Sequence, residues 1–214
     1  MEALAAALIH RFNNVLMGIQ PHVEVIKRAG KDNERVLGSA TQIETALRRA
    51  KAVMVEVGRL ARPSTVNLQP LAVDEWFASL ERDLQAFATN PVSLTFDGGD
   101  DLTLLADRNQ LTHAIANVVT NAVESMPNGG NVSIAARSTN DGVEVTITDN
   151  GSGIAPEVLA KAFEPLFTTK RNSAGLGLPV AQQIVEAHGG TMRLESNSGE
   201  GTKVTLVLRR APRA

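Results

Sequence analysis

The first 62 residues carry apolar side chains at alternating steps of three and four, in two segments separated by the polar stretch RAGKDN. Such steps place side chains along one face of an α-helix, as in the seam of a coiled coil. We therefore predict a hairpin of two helices, each about 35 to 45 Å long at about 1.5 Å per residue. The seam positions are Ala5, Leu8, Phe12, Val15, Ile19, His22 and Ile26 in the first helix and Val36, Ala40, Ile43, Leu47, Ala50, Met54 and Val57 in the second.

The pattern changes at residues 63–72, where two prolines and several polar side chains interrupt the helical periodicity and predict a linker. Beyond the linker, helical patterns occur in DEWFASLERDLQAFA, RNQLTHAIANVVTNAVESM and LPVAQQIVEAH. Strand patterns, in which apolar and polar residues alternate, occur in VSLTFD, NVSIAARS, VEVTITDN, TMRLESN and TKVTLVLRR. We predict an α+β chain: a helical hairpin over 1–62, the linker, and a two-layer sandwich of helices on a mixed sheet over 73–212.

Two isolated helices of this length cannot enclose their own apolar stripes. The simplest arrangement that buries them is a homodimer, in which two hairpins form a four-helix bundle with a symmetric interface. A homodimer is therefore the first expected partnership of the chain.

Composition and charge exclude several classes of function. The 21 basic and 23 acidic residues give a net charge of −2, so no basic surface is expected for nucleic acid or anionic lipid. The absence of cysteine excludes disulfides, thiolate metal sites and cysteine catalysis. No apolar run reaches the roughly 20 residues of a membrane helix, and no signal peptide is apparent. We expect a soluble, cytoplasmic chain without membrane contact, and its abrupt start within a helical pattern suits the cytoplasmic part of a longer protein.

Candidate chemistry is concentrated in the second half of the chain. NVVTNAVE places Asn117 and Asn121 four residues apart on one helix face, where two amide oxygens and ligand phosphates would suffice for Mg²⁺. In TDNGSGI, Asp149 ends a strand, and a buried carboxylate there can accept a hydrogen bond from an exocyclic amine such as that of adenine. Gly151 and Gly153 follow it and allow the backbone to approach a flat ligand.

A phosphate site is predicted downstream of the adenine site. AGLGLPVAQQ places Gly175 and Gly177 at the start of a helix, where free N–H groups and the positive dipole end favour phosphate. Between the two sites lies FEPLFTTKRNSA, in which Phe163 and Phe167 can anchor a flap and Lys170 can reach a phosphate. Each short motif is common in turns, but their order within about 60 residues is specific.

The ordered set NVVTNAVE, DNGSGI, FEPLFTTK and GLGL resembles the N, G1, F and G2 boxes of the histidine-kinase ATP-binding domain, whose Bergerat-type fold is shared with gyrase, Hsp90 and MutL. LIHRFNN resembles the H-box of the accompanying dimerisation and phosphotransfer domain. The resemblance implies ATP and Mg²⁺ as ligands. It assigns Asn117 and Asn121 to Mg²⁺, Asp149, Gly151 and Gly153 to the adenine side, and Lys170, Gly175 and Gly177 to the phosphates. Thr202, in GEGT, would line the adenine end.

The same resemblance implies a phosphorylated histidine and a partner. His10 would accept the γ-phosphoryl group of ATP and pass it to an aspartate of a response regulator. Its position about 200° from Leu8 predicts an exposed side chain opposite the seam. Asn14, one turn later, corresponds to the family's Thr or Asn that orients water for dephosphorylation. Arg11 stands where the family usually has an acidic residue that takes the imidazole's growing positive charge, and arginine accepts no proton.

Three functions therefore stay open. The first is a histidine kinase of a two-component system. The second is a degenerate kinase that binds nucleotide or a receiver domain, or favours phosphatase activity, and Arg11 is the feature in its favour. The third is an ATPase of the same fold, which is disfavoured because Asn117 stands where the ATPase branches have a water-activating glutamate.

The other histidines are predicted to be structural. His22 falls on the seam, His113 faces away from Asn117, and His188 ends a helix, where a cation would meet the negative dipole end.

Overall fold

The computed structural model describes residues 2–61, 65–85, 92–99, 101–170 and 173–212. The chain divides into two compact units, 1–63 and 64–214. The first contains helices α1 (Glu2–Ala29) and α2 (Glu34–Leu60), and the second contains all other elements. These are β1 (Gln69–Ala72), α3 (Val73–Gln85), β2 (Val92–Gly98), β3 (Thr103–Ala106), α4 (Arg108–Glu124), β4 (Gly130–Thr139), β5 (Gly142–Asp149), α5 (Pro156–Leu159), α6 (Gly177–Ala187), β6 (Thr191–Asn197) and β7 (Gly201–Leu208).

The first unit is the predicted helical hairpin. Asn33 caps α2, since its side-chain oxygen accepts hydrogen bonds from the backbone N–H groups of Arg35 and Val36. The buried contact between the helices consists of Val23, Ala40 and Leu47, with Leu16 packed against them. Lys27 and Glu44 form an ion pair across the hairpin. The two helices therefore pack through a small apolar seam and leave much of their surface exposed.

The predicted seam of α1 is displaced by about one residue from the face that packs on α2. Phe12, Val15, Ile19 and Ile26 are 54, 61, 39 and 41% exposed, whereas Val23 is 3% exposed. His22 is exposed as well, so the prediction that it is packed is wrong within one protomer. On α2, the predicted seam positions Ala40 and Leu47 are buried. The side chains of Ala5 and Leu8 lie outside the described residues.

A five-stranded mixed sheet in the order β2-β4-β5-β7-β6 forms one layer of the second unit. Only the β2 and β4 pair is parallel, and the other neighbours are antiparallel. Alternate residues along the central strands are buried, as the sequence pattern predicts: Val132, Ile134 and Ala136 in β4, Val143, Val145 and Ile147 in β5, and Val204, Leu206 and Leu208 in β7. The sheet therefore has one face that packs against a second layer.

That second layer consists of α3, α4 and α6. The apolar face of α4 is completely buried through Leu111, Ala114 and Ile115. Trp76 of α3 is also buried, and its indole Nε1 donates to Thr112 Oγ1 of α4 at 2.9 Å. The two-layer α/β sandwich is confirmed.

His188 joins the two helices that carry the candidate motifs. It is 1% exposed, its Nδ1 lies 2.7 Å from the carbonyl oxygen of Ile184, and its Nε2 accepts from the backbone N–H of Asp107 at 3.0 Å. One nitrogen must donate and the other must accept, so the imidazole is neutral. The predicted structural role holds, but the side chain is a buried neutral link and not a cation at a helix end.

The linker over 63–72 requires a correction. Its last four residues form β1, which pairs antiparallel with β3. Both strands have four residues and β1 contains Pro70, so neither produces a recognisable alternating pattern. Residues 62–64, the end of the predicted DEWFASLERDLQAFA helix at 86–88, and residues 171 and 172 of the flap lie outside the described residues.

None of the described helices combines the length and apolar character that crossing a bilayer requires.

Candidate functional site

A cavity of about 530 Å³ opens between α4, the segment that precedes α6, and the buried face of the sheet. Its volume lies within the range of small-molecule sites, about 300 to 1,000 Å³. Seven predicted ligand residues line it: Asn121, Asp149, Gly153, Lys170, Gly175, Gly177 and Thr202. Val118, Ala122, Ile147, Leu194 and Val204 supply apolar walls. The structure therefore brings together motifs that are up to 81 residues apart in a site with polar groups at its ends.

At one end of the cavity, Asp149 is an almost buried hydrogen-bond acceptor. The carboxylate is 8% exposed, and its Oδ1 accepts from the backbone N–H of Gly151 at 2.8 Å. Burial raises the pKa of Asp149 above its ordinary value, although hydrogen bonds from Gly151, Thr202 and Ser125 and the charge of Lys170 oppose the shift. A carboxylate in this setting suits a neutral donor such as an exocyclic amine.

Gly151 is required by the close approach around this carboxylate. A Cβ atom at residue 151 would lie 1.9 Å from Ser125 Oγ and 2.9 Å from Asp149 Oδ1. Ser125 Oγ itself donates to the carbonyl oxygen of Ala122 at 2.7 Å and lies 3.5 Å from Asp149 Oδ1. Any side chain at residue 151 would therefore displace the groups that hold Asp149.

The other end of the cavity is the N-terminus of α6. The helix begins at Gly177, and its N-cap residue Leu176 provides no side-chain hydrogen bond. The first N–H groups of a helix have no partner inside the helix and carry the positive end of its dipole. A Cβ at residue 177 would lie 3.7 Å from Asn117 Cβ and 3.8 Å from Asn121 Nδ2, so this turn packs directly on the two amides. This end of the cavity suits an anion.

The segment before α6 is closed by backbone contacts around Gly175. Its φ of +66° is unfavourable for residues with a side chain, and a Cβ there would lie 2.3 Å from the carbonyl oxygen of Phe167. The N–H of Leu166 donates to the Gly175 carbonyl at 3.0 Å. Phe167 lines the cavity, with Lys161 Nζ 5.8 Å from the centre of its ring. The aromatic side chain thus anchors the flap as predicted.

Lys170 reaches the cavity from this flap and lies against α4. Its Nζ donates to Glu124 Oε2 at 2.7 Å and to the backbone carbonyl oxygen of Asn121 at 3.4 Å. Both partners belong to the last turns of α4, where the helix dipole is negative. The predicted phosphate ligand is therefore paired with a carboxylate on the wall of the same cavity.

The residues fit a hard cation at the Asn117 and Asn121 end. Asn121 lines the cavity, whereas Asn117 lies one turn earlier and does not. Asn117 Nδ2 is buried and has no hydrogen-bond partner among the described residues, so this amide is not committed to the protein fold. Amide oxygens are ligands that Mg²⁺ accepts, and bound Mg²⁺ would neutralise phosphate charge.

In the first unit, His10 and Arg11 are exposed on α1, as predicted for the histidine. Asn14 is also exposed, and its Nδ2 lies 3.4 Å from His10 Nδ1. In this orientation the amide donates to Nδ1, which places the imidazole proton on Nε2. Rotation of the amide by 180° would make Asn14 an acceptor for an Nδ1 proton and leave the Nε2 lone pair free.

Sequence reasoning missed two residues of the cavity, Glu124 and Ser125. Both follow the Asn121 motif directly in VESM, and the helical spacing alone places Glu124 on nearly the same face as Asn121. The signal for Glu124 was present but its partner was not apparent, because Lys170 lies 46 residues away in the chain.

The chain matches known families and structures. Residues 106–212, half of the chain, match the family described as "Histidine kinase-, DNA gyrase B-, and HSP90-like ATPase". The sensor histidine kinase ZraS of Salmonella typhimurium is 32% identical over 215 residues, which cover 97% of this chain and 45% of ZraS. The chain therefore spans less than half of that relative.

Two solved structures share the fold. Full-length ShkA in complex with AMPPNP has a TM-score of 0.83 and 22% identity, with coverage of 100% of this chain and 47% of ShkA. Histidine kinase ThkA in complex with the response regulator protein TrrA has a TM-score of 0.73 and 22% identity, with coverage of 98% of this chain and 62% of ThkA.

Proposed function

Since the chain belongs to the histidine kinase-, DNA gyrase B- and HSP90-like ATPase family, we propose that it is the catalytic core of a sensor histidine kinase. It binds Mg-ATP in the cavity of the second unit and transfers the γ-phosphoryl group to its own His10. The observation that carries the proposal is the cavity itself, which combines a buried acceptor, Asp149, with a helix N-terminus at Gly177.

The residues of the cavity have separate roles in this proposal. Asp149 accepts a hydrogen bond from the adenine amine, and Thr202 and Gly153 line the same end. The N–H groups at the start of α6, near Gly175 and Gly177, bind phosphate oxygens together with Lys170. Asn121 and Asn117 hold Mg²⁺. The apolar walls exclude water from the base and raise the strength of these polar contacts.

The transfer step needs a neutral imidazole with its proton on Nδ1. The Nε2 lone pair then forms a bond to the γ-phosphorus while the bond from that phosphorus to the β-γ bridging oxygen breaks, and ADP leaves with the electron pair. Loss of the Nδ1 proton neutralises the imidazole. Asn14, with its amide rotated so that Oδ1 accepts from Nδ1, is the side chain that favours this tautomer, because Arg11 accepts no proton.

A carboxylate of a response regulator receives the phosphoryl group in the second step. Exposure of His10 on α1 supports this proposal, since an acceptor protein must approach the phosphorylated nitrogen directly. Asn14, beside His10, is also placed to orient water for the reverse regulation, the removal of phosphate from the partner.

Labelled ATP provides the test. The chain is incubated with γ-labelled ATP and Mg²⁺ beside His10→Gln, and the acid lability of the protein-bound label is measured. We expect acid-labile label on the unchanged chain and none on the variant, because a phosphorus–nitrogen bond hydrolyses in acid. Label that persists in His10→Gln would refute the site. Nucleotide binding without label would favour the degenerate kinase, and steady phosphate release without phosphoprotein would favour the ATPase.

A further inference from the structure

Glu124 and Lys170 form an ion pair on the wall of the nucleotide cavity. Lys170 Nζ lies 2.7 Å from Glu124 Oε2, and the side chains are 38 and 45% exposed respectively. Both residues line the cavity. The pair is therefore open to solvent and accessible to a ligand that enters.

The charge of the cavity makes this pair important for an anionic ligand. Among the described residues that line the cavity, Lys170 is the sole cation, whereas Glu124 and Asp149 are both carboxylates. A polyphosphate needs the Lys170 ammonium, but the ammonium already has a carboxylate partner and a contact to the Asn121 carbonyl oxygen at the negative end of α4.

We propose that Glu124 sets the affinity for phosphorylated nucleotides by competing with the ligand phosphates for Lys170. This inference rests on the proposed function, since it concerns the same cavity. The phosphates must displace the Glu124 carboxylate before Lys170 binds them, so part of the attraction between Lys170 and the ligand is spent on breaking the ion pair. Removal of the Glu124 charge therefore tightens nucleotide binding, and the effect depends on both Lys170 and the ligand phosphates.

The expected effect is moderate. A partly exposed ion pair is weak and is screened by salt, so Glu124→Gln is expected to lower the Kd for Mg-AMPPNP about two- to fivefold at low ionic strength. The gain should shrink as salt is added. Adenosine has no phosphate, and its Kd should not change.

Isothermal titration calorimetry on the full chain tests the proposal with Mg-AMPPNP and adenosine as probes. The proteins are the unchanged chain, Glu124→Gln, Lys170→Met, the double variant, and Glu186→Gln. Glu186 is an exposed carboxylate on α6 that does not line the cavity, so Glu186→Gln controls for the change in net charge. We expect tighter Mg-AMPPNP binding in Glu124→Gln, no change in Glu186→Gln, and no gain from Glu124→Gln when Lys170 is already methionine.

The outcomes separate this proposal from the proposed function. If the unchanged chain binds Mg-AMPPNP but Glu124→Gln binds it equally or more weakly, competition is wrong and nucleotide binding stands. An equal gain in the Lys170→Met background would replace competition by direct repulsion and overturn the proposal. A parallel change in adenosine affinity would also overturn it. If the unchanged chain binds no Mg-AMPPNP, the proposed function and this proposal both fail.

Discussion

Asp149 shows how one buried carboxylate gives stability and ligand binding opposite dependences on pH. Its folded-state pKa lies above the ordinary value of 3.8, so the folded chain retains the proton at a pH where the unfolded chain has lost it. The contribution of Asp149 to the free energy of unfolding therefore falls as pH rises from 3.8 through the raised pKa, and is constant above that pKa. The deprotonated acceptor that suits an adenine amine forms over the same range.

We accordingly predict that the affinity for adenosine rises with pH through the raised pKa of Asp149, while that residue's contribution to stability declines. Adenosine binding and denaturant unfolding are measured between pH 4 and pH 7. In Asp149→Asn, which does not titrate, both pH-dependent components should disappear and adenosine binding should weaken at neutral pH. A variant with the pH profile of the unchanged chain would show that another group titrates in this range.

Asn14 provides the second residue-scale prediction. Its amide lies 3.4 Å from His10 Nδ1 and can donate or accept after rotation, whereas a carboxylate can only accept. Asn14→Asp should hold the imidazole proton on Nδ1 and increase the initial rate of His10 phosphorylation about tenfold, within the range of general acid–base effects. The rate is measured with γ-labelled ATP at saturating concentration.

The matched control for this change is Asn14→Leu, which has similar size and offers no acceptor. It should phosphorylate more slowly than the unchanged chain. Equal rates in Asn14→Asp and Asn14→Leu would exclude a role for Asn14 in selecting the tautomer.

Sequence patterns located single residues of the cavity well when local spacing determines their position. Asn121, Asp149, Gly175 and Gly177 each belong to a short motif whose helix or strand end places them on the cavity wall. The pairing of Lys170 with Glu124 joins positions 46 residues apart, and no local pattern carries this information. Whether Asn14 donates or accepts depends on a side-chain rotation that the sequence does not encode.

At the scale of elements, the link between α4 and α6 determines how the two ends of the cavity are held. His188, at the end of α6, accepts from the backbone N–H of Asp107, and Asp107 caps α4 through Asn109 and Gln110. The N-terminus of α6 and the amides of α4 bind opposite sides of the proposed triphosphate. A rigid connection between the helices therefore keeps the phosphate site in its geometry.

We predict that His188→Ala lowers the free energy of unfolding of the second unit by about 2 to 4 kcal/mol. The change leaves the buried N–H of Asp107 unpaired and creates a cavity. Urea unfolding monitored by Trp76 fluorescence measures the loss. The neighbouring Glu186→Ala, at an exposed position, should change stability by less than about 0.5 kcal/mol. Equal losses in the two variants would refute the link.

The elements predicted from the sequence were those with long, regular patterns. The buried alternation of β4, β5 and β7 and the apolar face of α4 appear at the positions expected. The strands β1 and β3 were missed because each has four residues and β1 includes Pro70. Strand order was also beyond local patterns, since the parallel pairing of β2 with β4 depends on contacts across α4 and β3 in the chain.

For the whole molecule, the exposed stripe of α1 supports assembly with a second copy. Phe12, Val15, Ile19 and Ile26 follow one face of the helix and remain exposed when α1 packs on α2. Val23, which does contact α2, lies on the adjacent face. The apolar arc of α1 is thus broader than one neighbouring helix can cover, which is the pattern expected in a four-helix bundle of two hairpins.

We predict that the paired change Phe12→Glu and Ile19→Glu converts the dimer to monomers, because symmetry places four carboxylates in the bundle core. Molar mass from light scattering after size exclusion should fall by half. Met17, which is 60% exposed on the opposite side of α1, offers the control, and Met17→Glu should leave the mass unchanged. Labelled adenosine binding should persist in all variants because the cavity lies within the second unit. If the unchanged chain is itself a monomer over the measured concentrations, the apolar arc has some other partner and the bundle is wrong.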